Sequence, residues 1–213
     1  MKRRDFISKS GMAAVGTLLL ATPFASILAN NNKKKNMRIV VLTGSPRRNG
    51  NTNYLADLFI QGAKEAGHDV FRFNAATSEV HPCIGCNHCG MDGPCIYDDD
   101  FTNLLRPEII KSDMVVFCSP MYYFGFSAQL KAVIDRFYAI NGTLHCYKKC
   151  AFLMAYANTS PTDAEAMIAH YKTIANYMGW EDVGSVVAPG IWTAGSIKGT
   201  KYCEQAYQLG KNL

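Results

Sequence analysis

The sequence predicts an α/β protein built on one doubly wound, five-stranded parallel sheet with helices on both faces. Three observations point there. Short apolar runs alternate with stretches of helical period along most of the chain. Two of those runs, Ile39 to Leu42 and Met114 to Ser119, are continuously apolar rather than alternating, as strands buried on both faces are. The length of 213 residues and the 48% hydrophobic content suit one domain with a sizeable core, and no internal repeat is visible.

The elements follow in order. Ile39-Val40-Val41-Leu42 is the first strand and stops at Gly44. A helical pattern carried by Leu55, Leu58, Phe59 and Ala63 runs from Asn53 to Ala66, with Gly67 as its C-cap. His68 to Asn74 is the second strand. Ala75 to Tyr97 has no helical period and holds four cysteines, which marks a long functional loop. Asp98-Asp99-Asp100 opens a helix to about Lys111, its acids placed where the N-terminal dipole favours them. Met114 to Ser119 is the third strand. Ser127 to Ile140 is a helix, apolar at Leu130, Val133, Ile134 and Phe137. Cys150 to Tyr156 and Asp182 to Ala188 are the fourth and fifth strands. Asp163 to Met178 is the helix between them, and Lys201 to Leu209 a short last one. Strands alternating with helices imply parallel pairing and the order 2-1-3-4-5.

Ligands of such sheets sit beyond the carboxyl ends of the strands where strand order reverses, here between strands one and three. The loop after strand one, Gly44-Ser45-Pro46-Arg47-Arg48-Asn49-Gly50-Asn51-Thr52, joins a buried strand to a helix start. In that geometry free backbone N–H groups and the helix dipole hold a phosphate. Ser45 and Thr52 add hydroxyls, Asn49 and Asn51 amides, and Arg47 or Arg48 a counter-charge. The spacing is neither Gly-x-Gly-x-x-Gly nor Gly-x4-Gly-Lys-Ser/Thr, so neither a dinucleotide fingerprint nor a nucleoside-triphosphate loop is indicated. After strand three comes Pro120-Met121-Tyr122-Tyr123-Phe124-Gly125-Phe126. Its aromatics offer faces for a planar ring system, or packing for a core or subunit interface, and Gly125 permits a sharp turn. Asn158-Thr159-Ser160-Pro161, after strand four, closes a third side with polar groups.

These loops, together with the helix Leu130-Lys131-Ala132-Val133-Ile134-Asp135-Arg136-Phe137 and the tail segments Gly195 to Gly199 and Gln205 to Lys211, resemble the flavodoxin-like NADPH-dependent FMN reductase family over about residues 37 to 213. The resemblance implies FMN, with its phosphate at Ser45, Arg47, Asn49, Asn51 and Thr52. It places the isoalloxazine against Pro120, Met121, Tyr122, Tyr123, Phe124 and Gly125; Thr159, in the loop after strand four, is a further cofactor-binding candidate from its position alone.

Within the long loop, the segment 81–97 carries Cys83, Cys86, Cys89 and Cys95 in a C-x2-C-x2-C-x5-C pattern. Two-residue spacers let successive thiolates face a common centre, as iron–sulfur clusters require. A zinc site uses the same ligands, though usually as two separated C-x2-C units. Disulfides are the third option, but these cysteines could only close loops of a few residues. The pattern is similar to that of the iron–sulfur flavoprotein branch of the same family, which implies a [4Fe–4S] cluster on the four cysteines. Cys118 reads as a small core residue, Cys146 and Cys150 as a pair that could join after export, and Cys203 has no such spacing. His81 and His88 flank the cysteine loop in structural roles.

The first 29 residues read as a targeting segment. Lys2-Arg3-Arg4-Asp5-Phe6-Ile7-Ser8-Lys9 precedes an apolar stretch, Met12 to Ala21, too short to span a bilayer of roughly 30 Å. It looks like a twin-arginine export signal with Lys in place of the usual Ser or Thr. Such a signal implies export of the folded protein to the periplasm with its cofactors inside; a general secretory signal, an uncleaved anchor and a cytoplasmic protein with an uncleaved start are the alternatives. Asn30 to Asn36 is a polar tether. The formal charge of +5 is concentrated in these segments, so the domain has no basic face for nucleic acid.

The function expected is an FMN-dependent oxidoreductase that passes electrons between FMN and a [4Fe–4S] cluster. Its partner would be a redox protein or NAD(P)H, and its assembly state a homodimer or homotetramer, as the resemblance implies. The alternatives are an NAD(P)H-dependent FMN reductase without a cluster and a zinc-binding, non-enzymatic domain of the same fold. No side chain is assigned as a catalytic acid or base.

Overall fold

In a computed structural model, residues 36–213 are described; the expected export signal and nearly all of the tether lie outside them. Five strands form one sheet in the order β2-β1-β3-β4-β5, every pair parallel. They are β1 (Arg38–Thr43), β2 (Asp69–Asn74), β3 (Met114–Pro120), β4 (Lys149–Ala155) and β5 (Glu181–Ala188). The helices are α1 (Asn51–Glu65), α2 (Arg106–Lys111), α3 (Ala128–Asp135), α4 (Asn141–Leu144), α5 (Glu165–Met178) and α6 (Lys201–Lys211).

Alternation along the buried strands sends side chains to two separate cores. Ile39, Val41, Met114, Val116, Ala151 and Leu153 face α1 and α6. Val40, Leu42, Val115, Phe117, Phe152 and Met154 face α2, α3 and α5. The first layer is tight because two helix backbones touch: a Cβ on Gly62 would lie 2.2 Å from the Tyr207 carbonyl, and one on Gly210 2.2 Å from that of Phe59.

Two helices depart from a plain helical reading. The one expected from Asp98 to Lys111 begins as a π-turn, Phe101–Leu105, in which the Arg106 N–H reaches the Phe101 carbonyl five residues back. Pro107 has no N–H to give and removes the next regular bond. The helix expected over Ser127 to Ile140 tightens into a 3₁₀ segment, Arg136–Ile140, after α3. There the Asn141 N–H is taken by the Met91 carbonyl of the cysteine loop, at 2.8 Å, rather than by its own helix.

Among the described residues, no helix is long and apolar enough to cross a membrane.

Candidate functional site

At the carboxyl edge of the sheet, small polar side chains tie the loops after β1 and β3 together. The Gly44 N–H donates to the Cys118 carbonyl (2.9 Å), and the Ser127 hydroxyl donates to the Gly44 carbonyl (2.7 Å). The Ser127 N–H donates to Ser119 Oγ (3.0 Å), while Ser127 Oγ caps α3 by accepting from the Leu130 N–H. A Cβ on Gly44 would sit 2.4 Å from Ser127 Oγ, so only glycine allows this approach. Beneath them the buried Cys118 thiol donates to the Thr52 carbonyl (3.0 Å), and burial pushes its pKa up to about 12. Cys118 is thus an inert core residue, as expected.

The loop itself is a turn closed by Gly50 N–H to the Arg47 carbonyl (2.9 Å) and by the Asn53 amide on the same oxygen (2.8 Å). It delivers the start of α1 with Gly50 as N-cap and no side chain capping it. The first-turn N–H groups of a helix have no partner within it, so this end is an anion-binding feature.

A cleft of about 540 Å³ opens there. Ser45, Arg47, Gly50, Asn51 and Thr52 line one wall and Pro120, Met121 and Tyr122 a second. Ala155, Tyr156 and Ala157 form a third, and Ile191, Trp192, Thr193 and Ala194 the fourth. Of the residues expected at the phosphate, Ser45, Arg47, Asn51 and Thr52 come together in this cleft. Asn49 faces a neighbouring depression with Arg48 and Lys198. The Asn51 side chain is already engaged: its amide donates to the Thr193 carbonyl (2.8 Å) and its oxygen accepts from the N–H groups of Gly195 (2.9 Å) and Ile197 (3.3 Å). It works as a latch between the first and last loops.

Of the aromatic turn, Pro120, Met121 and Tyr122 line the cleft, whereas Tyr123, Phe124 and Gly125 do not. The sharp turn is not made by Gly125. Positive φ falls on Tyr123 (45°) and Phe124 (64°), between reciprocal backbone bonds joining Tyr122 and Gly125 at 3.1 Å. Both are non-glycine residues in a left-handed conformation, a local strain. Tyr123 is 100% exposed and Phe124 50%. Thr159 is also off the lining, lying against Gly190.

Sequence reasoning missed the fourth wall. The segment after β5 folds back over the sheet edge, bonding through Ile191 N–H to the Tyr156 carbonyl and Gly190 N–H to that of Asn158, each 2.8 Å. Trp192, 75% exposed, is the signal that could have found it: a lone tryptophan in a glycine-bearing loop at the carboxyl edge.

The cysteine loop leaves the same edge after β2 but runs down beside α3. Asp99 and Arg136 anchor it. Arg136, 1% exposed, donates through Nη1 to Asp99 Oδ2 (2.7 Å) and the His81 carbonyl (2.9 Å). Through Nη2 it donates to Asp99 Oδ1 (3.3 Å) and Thr102 Oγ1 (3.1 Å). Both ends of the loop are therefore stapled to the end of α3. Burial alone would raise the Asp99 carboxyl, but Arg136 and the backbone N–H groups of His81 and Thr102 outweigh it and hold the pKa below the usual carboxylate range. His81 stacks on Tyr97 with ring centroids 4.6 Å apart, a structural role. At the tip, the Tyr138 hydroxyl donates to Asn87 Oδ1 (2.7 Å), and Asp92 Oδ1 accepts from the Thr143 N–H and hydroxyl, both 3.0 Å. Gly142 leaves room for Asp92, since a Cβ there would lie 2.0 Å from Asp92 Oδ2.

Cys83, Cys86, Cys89 and Cys95 line one small pocket, walled otherwise by Ile84, Asn87, Ile96, Tyr97, Arg136, Tyr138 and Ala139. All four are free thiols, and positive φ at Gly85, Asn87, Gly90 and Met91 wraps the chain around them. Among the described residues, no group of three or more His, Cys, Asp or Glu side chains is arranged to hold a metal ion. Cys146 and Cys150 are not paired. Cys146 is exposed, whereas Cys150 is buried and accepts from the Tyr171 hydroxyl at 3.2 Å, its thiol pushed up to about 11 by burial.

Compared with known proteins, residues 37–197 match the model of the NADPH-dependent FMN reductase family. An iron–sulfur flavoprotein of Methanocaldococcus jannaschii is 37% identical over 100 residues, which are 47% of this chain and 51% of that protein, so the match spans about half its length. An iron–sulfur flavoprotein of Archaeoglobus fulgidus is 29% identical over 179 residues, covering 83% of this chain and 79% of the relative. Among solved structures, an NAD(P)H:quinone oxidoreductase from Methanothermobacter marburgensis superposes with a TM-score of 0.65 at 19% identity, over 83% of this chain and 96% of that one. That likeness carries the fold alone.

Proposed function

The chain belongs to the NADPH-dependent FMN reductase family, and on that footing we propose that it is a flavin-dependent oxidoreductase with FMN in the cleft and a [4Fe–4S] cluster on Cys83, Cys86, Cys89 and Cys95. The observation that carries the reading is the cleft at the point where strand order reverses, with an uncapped helix N-terminus on one wall and an apolar and aromatic wall opposite. The first-turn N–H groups of α1, Ser45, Thr52 and the Arg47 charge would hold the phosphate. Pro120, Met121 and Tyr122 would face the ring system, Trp192 would cover it from the last loop, and Asn51 would keep that loop closed. With both groups bound, FMN supplies one- or two-electron chemistry and the cluster one-electron transfer.

The cysteines fit a cluster on three counts: a shared pocket, free thiols, and a nearly apolar wall that leaves one buried cation beside them. The two sites share no lining residue. From Ser127 at the cleft end of α3 to Tyr138 at the cysteine pocket, the helix rises roughly 17–19 Å. That separation favours a homodimer or homotetramer in which one copy's cysteine loop approaches another's cleft. The exposed, strained Tyr123 and Phe124 suit such a contact.

For localisation, the paired arginines and the short apolar stretch of the first 29 residues support twin-arginine export to the periplasm. There a redox protein or quinol is the expected donor in place of NAD(P)H. Anaerobic purification followed by an absorbance spectrum and assays of FMN, iron and acid-labile sulfide tests the cofactors. A colourless protein with zinc would refute the reading. Cell fractionation tests the address.

A further inference from the structure

We propose that Arg136 donates a hydrogen bond from its Nε–H to sulfur of the cluster held by the four cysteines, and so raises the cluster's reduction potential. The inference rests on the cluster reading above. A guanidinium carries five N–H donors. Four of them, on Nη1 and Nη2, are accounted for by Asp99, the His81 carbonyl and Thr102. The fifth, on Nε, is buried and has no acceptor.

Two rings also pack against the group: its Cζ lies 4.7 Å from the centroid of Phe101 and 5.3 Å from that of Tyr97. The guanidinium still needs an in-plane acceptor for its last N–H. Native interiors rarely leave such a donor unpaired.

Arg136 lines the cysteine pocket. The other side chains there are Ile84, Ile96, Ala139, two tyrosines and Asn87, whose Oδ1 already accepts from Tyr138. Sulfur is what remains in quantity. A donor to cluster or cysteine sulfur withdraws electron density and stabilises the reduced state, and hydrogen bonds to sulfur are among the levers that set cluster potentials. The Asp99 carboxylate fixes the guanidinium in place through its Nη1 and Nη2 edge. Arg136 would then serve as both staple of the loop and tuner of its contents.

The test uses full-length protein grown on arginine labelled with ¹⁵N at Nε, purified anaerobically and reduced. Pulsed electron paramagnetic resonance then looks for a ¹⁵N hyperfine coupling to the cluster. Arg136 is the one arginine lining the pocket, so a coupling identifies it. A coupling in the wild type, absent in R136K that still carries iron and sulfide, with a lower potential in the variant, is the expected result. A wild-type cluster with no arginine coupling overturns the proposal and leaves the cluster reading standing. An R136K protein that keeps its cluster at an unchanged potential overturns the tuning role. Wild-type protein without iron and sulfide overturns both readings. Should R136K fail to assemble, the wild-type coupling alone decides.

Discussion

Replacing Asn51 with alanine should cost FMN affinity without disturbing the fold. Asn51 is the first residue of α1, yet its side-chain amide spends every bond on a loop more than 140 residues away. It makes bonds of 2.8 Å to Thr193, 2.9 Å to Gly195 and 3.3 Å to Ile197. The first two have good geometry and the third is long. Counting about 1 kcal/mol net for each good bond, the latch contributes about 2 kcal/mol to holding the last loop against the cleft. In Asn51→Ala that ordering must be supplied when FMN binds, which predicts affinity weaker by about 30-fold. Titration of apoprotein with FMN, followed by quenching of flavin fluorescence, measures it. The apoprotein should stay folded, because Ile197 still anchors the far end of the loop in the core shared with α1 and α6, and its melting temperature should fall by no more than about 4–8 °C. An FMN affinity within about 3-fold of wild type would refute the reasoning, and so would a loss of affinity that merely tracks global unfolding.

Other outcomes follow from the cysteine loop. Gly142→Ala puts a Cβ 2.0 Å from Asp92 Oδ2, so Asp92 must leave Thr143. Iron per chain should fall and stability drop by about 1–2 kcal/mol, and an unchanged iron content would remove the docking role. Cys95→Ala should abolish iron and sulfide while FMN stays bound, since cleft and pocket share no residue; loss of both cofactors would contradict that separation. Asp99 gives a pH signature. Its folded pKa is depressed, so its stabilisation is complete above the usual carboxylate pKa and is lost as pH falls through the lower folded value. Thermal melts of apoprotein from neutral to strongly acid pH should show this decline, flattened in Asp99→Asn, and parallel profiles would disprove it.

The legible part of the site is the part that obeys a topological rule. Ser45, Arg47, Thr52, Pro120, Met121 and Tyr122 follow strands one and three, and parallel order alone brings those two ends together. Trp192 and Thr193 follow β5, at the far edge of the sheet from β1. Nothing local says that their loop crosses back to α1, and Asn51 read as a phosphate donor because its true partner is so distant in sequence. The same blindness hid Asp99, which reads as one of three surface acids at a helix start. Its burial against Arg136 is a contact across 37 residues. Gly125 is where sequence puts the sharp turn, because glycine is the residue expected at positive φ, whereas the antiparallel bridge between Tyr122 and Gly125 leaves the left-handed positions to the two aromatics between them.

By itself, the sequence determined the sheet, its order and its two-sided burial, together with the four-cysteine spacing, because periodicity and short-range spacing encode them. Only the tertiary structure decided which loops meet, since that depends on pairs of polar atoms far apart along the chain. It also decided that the cysteines lie at the far end of α3 from the cleft, with one buried arginine carrying an unspent N–H beside them, because a loop's direction is set by what it docks on.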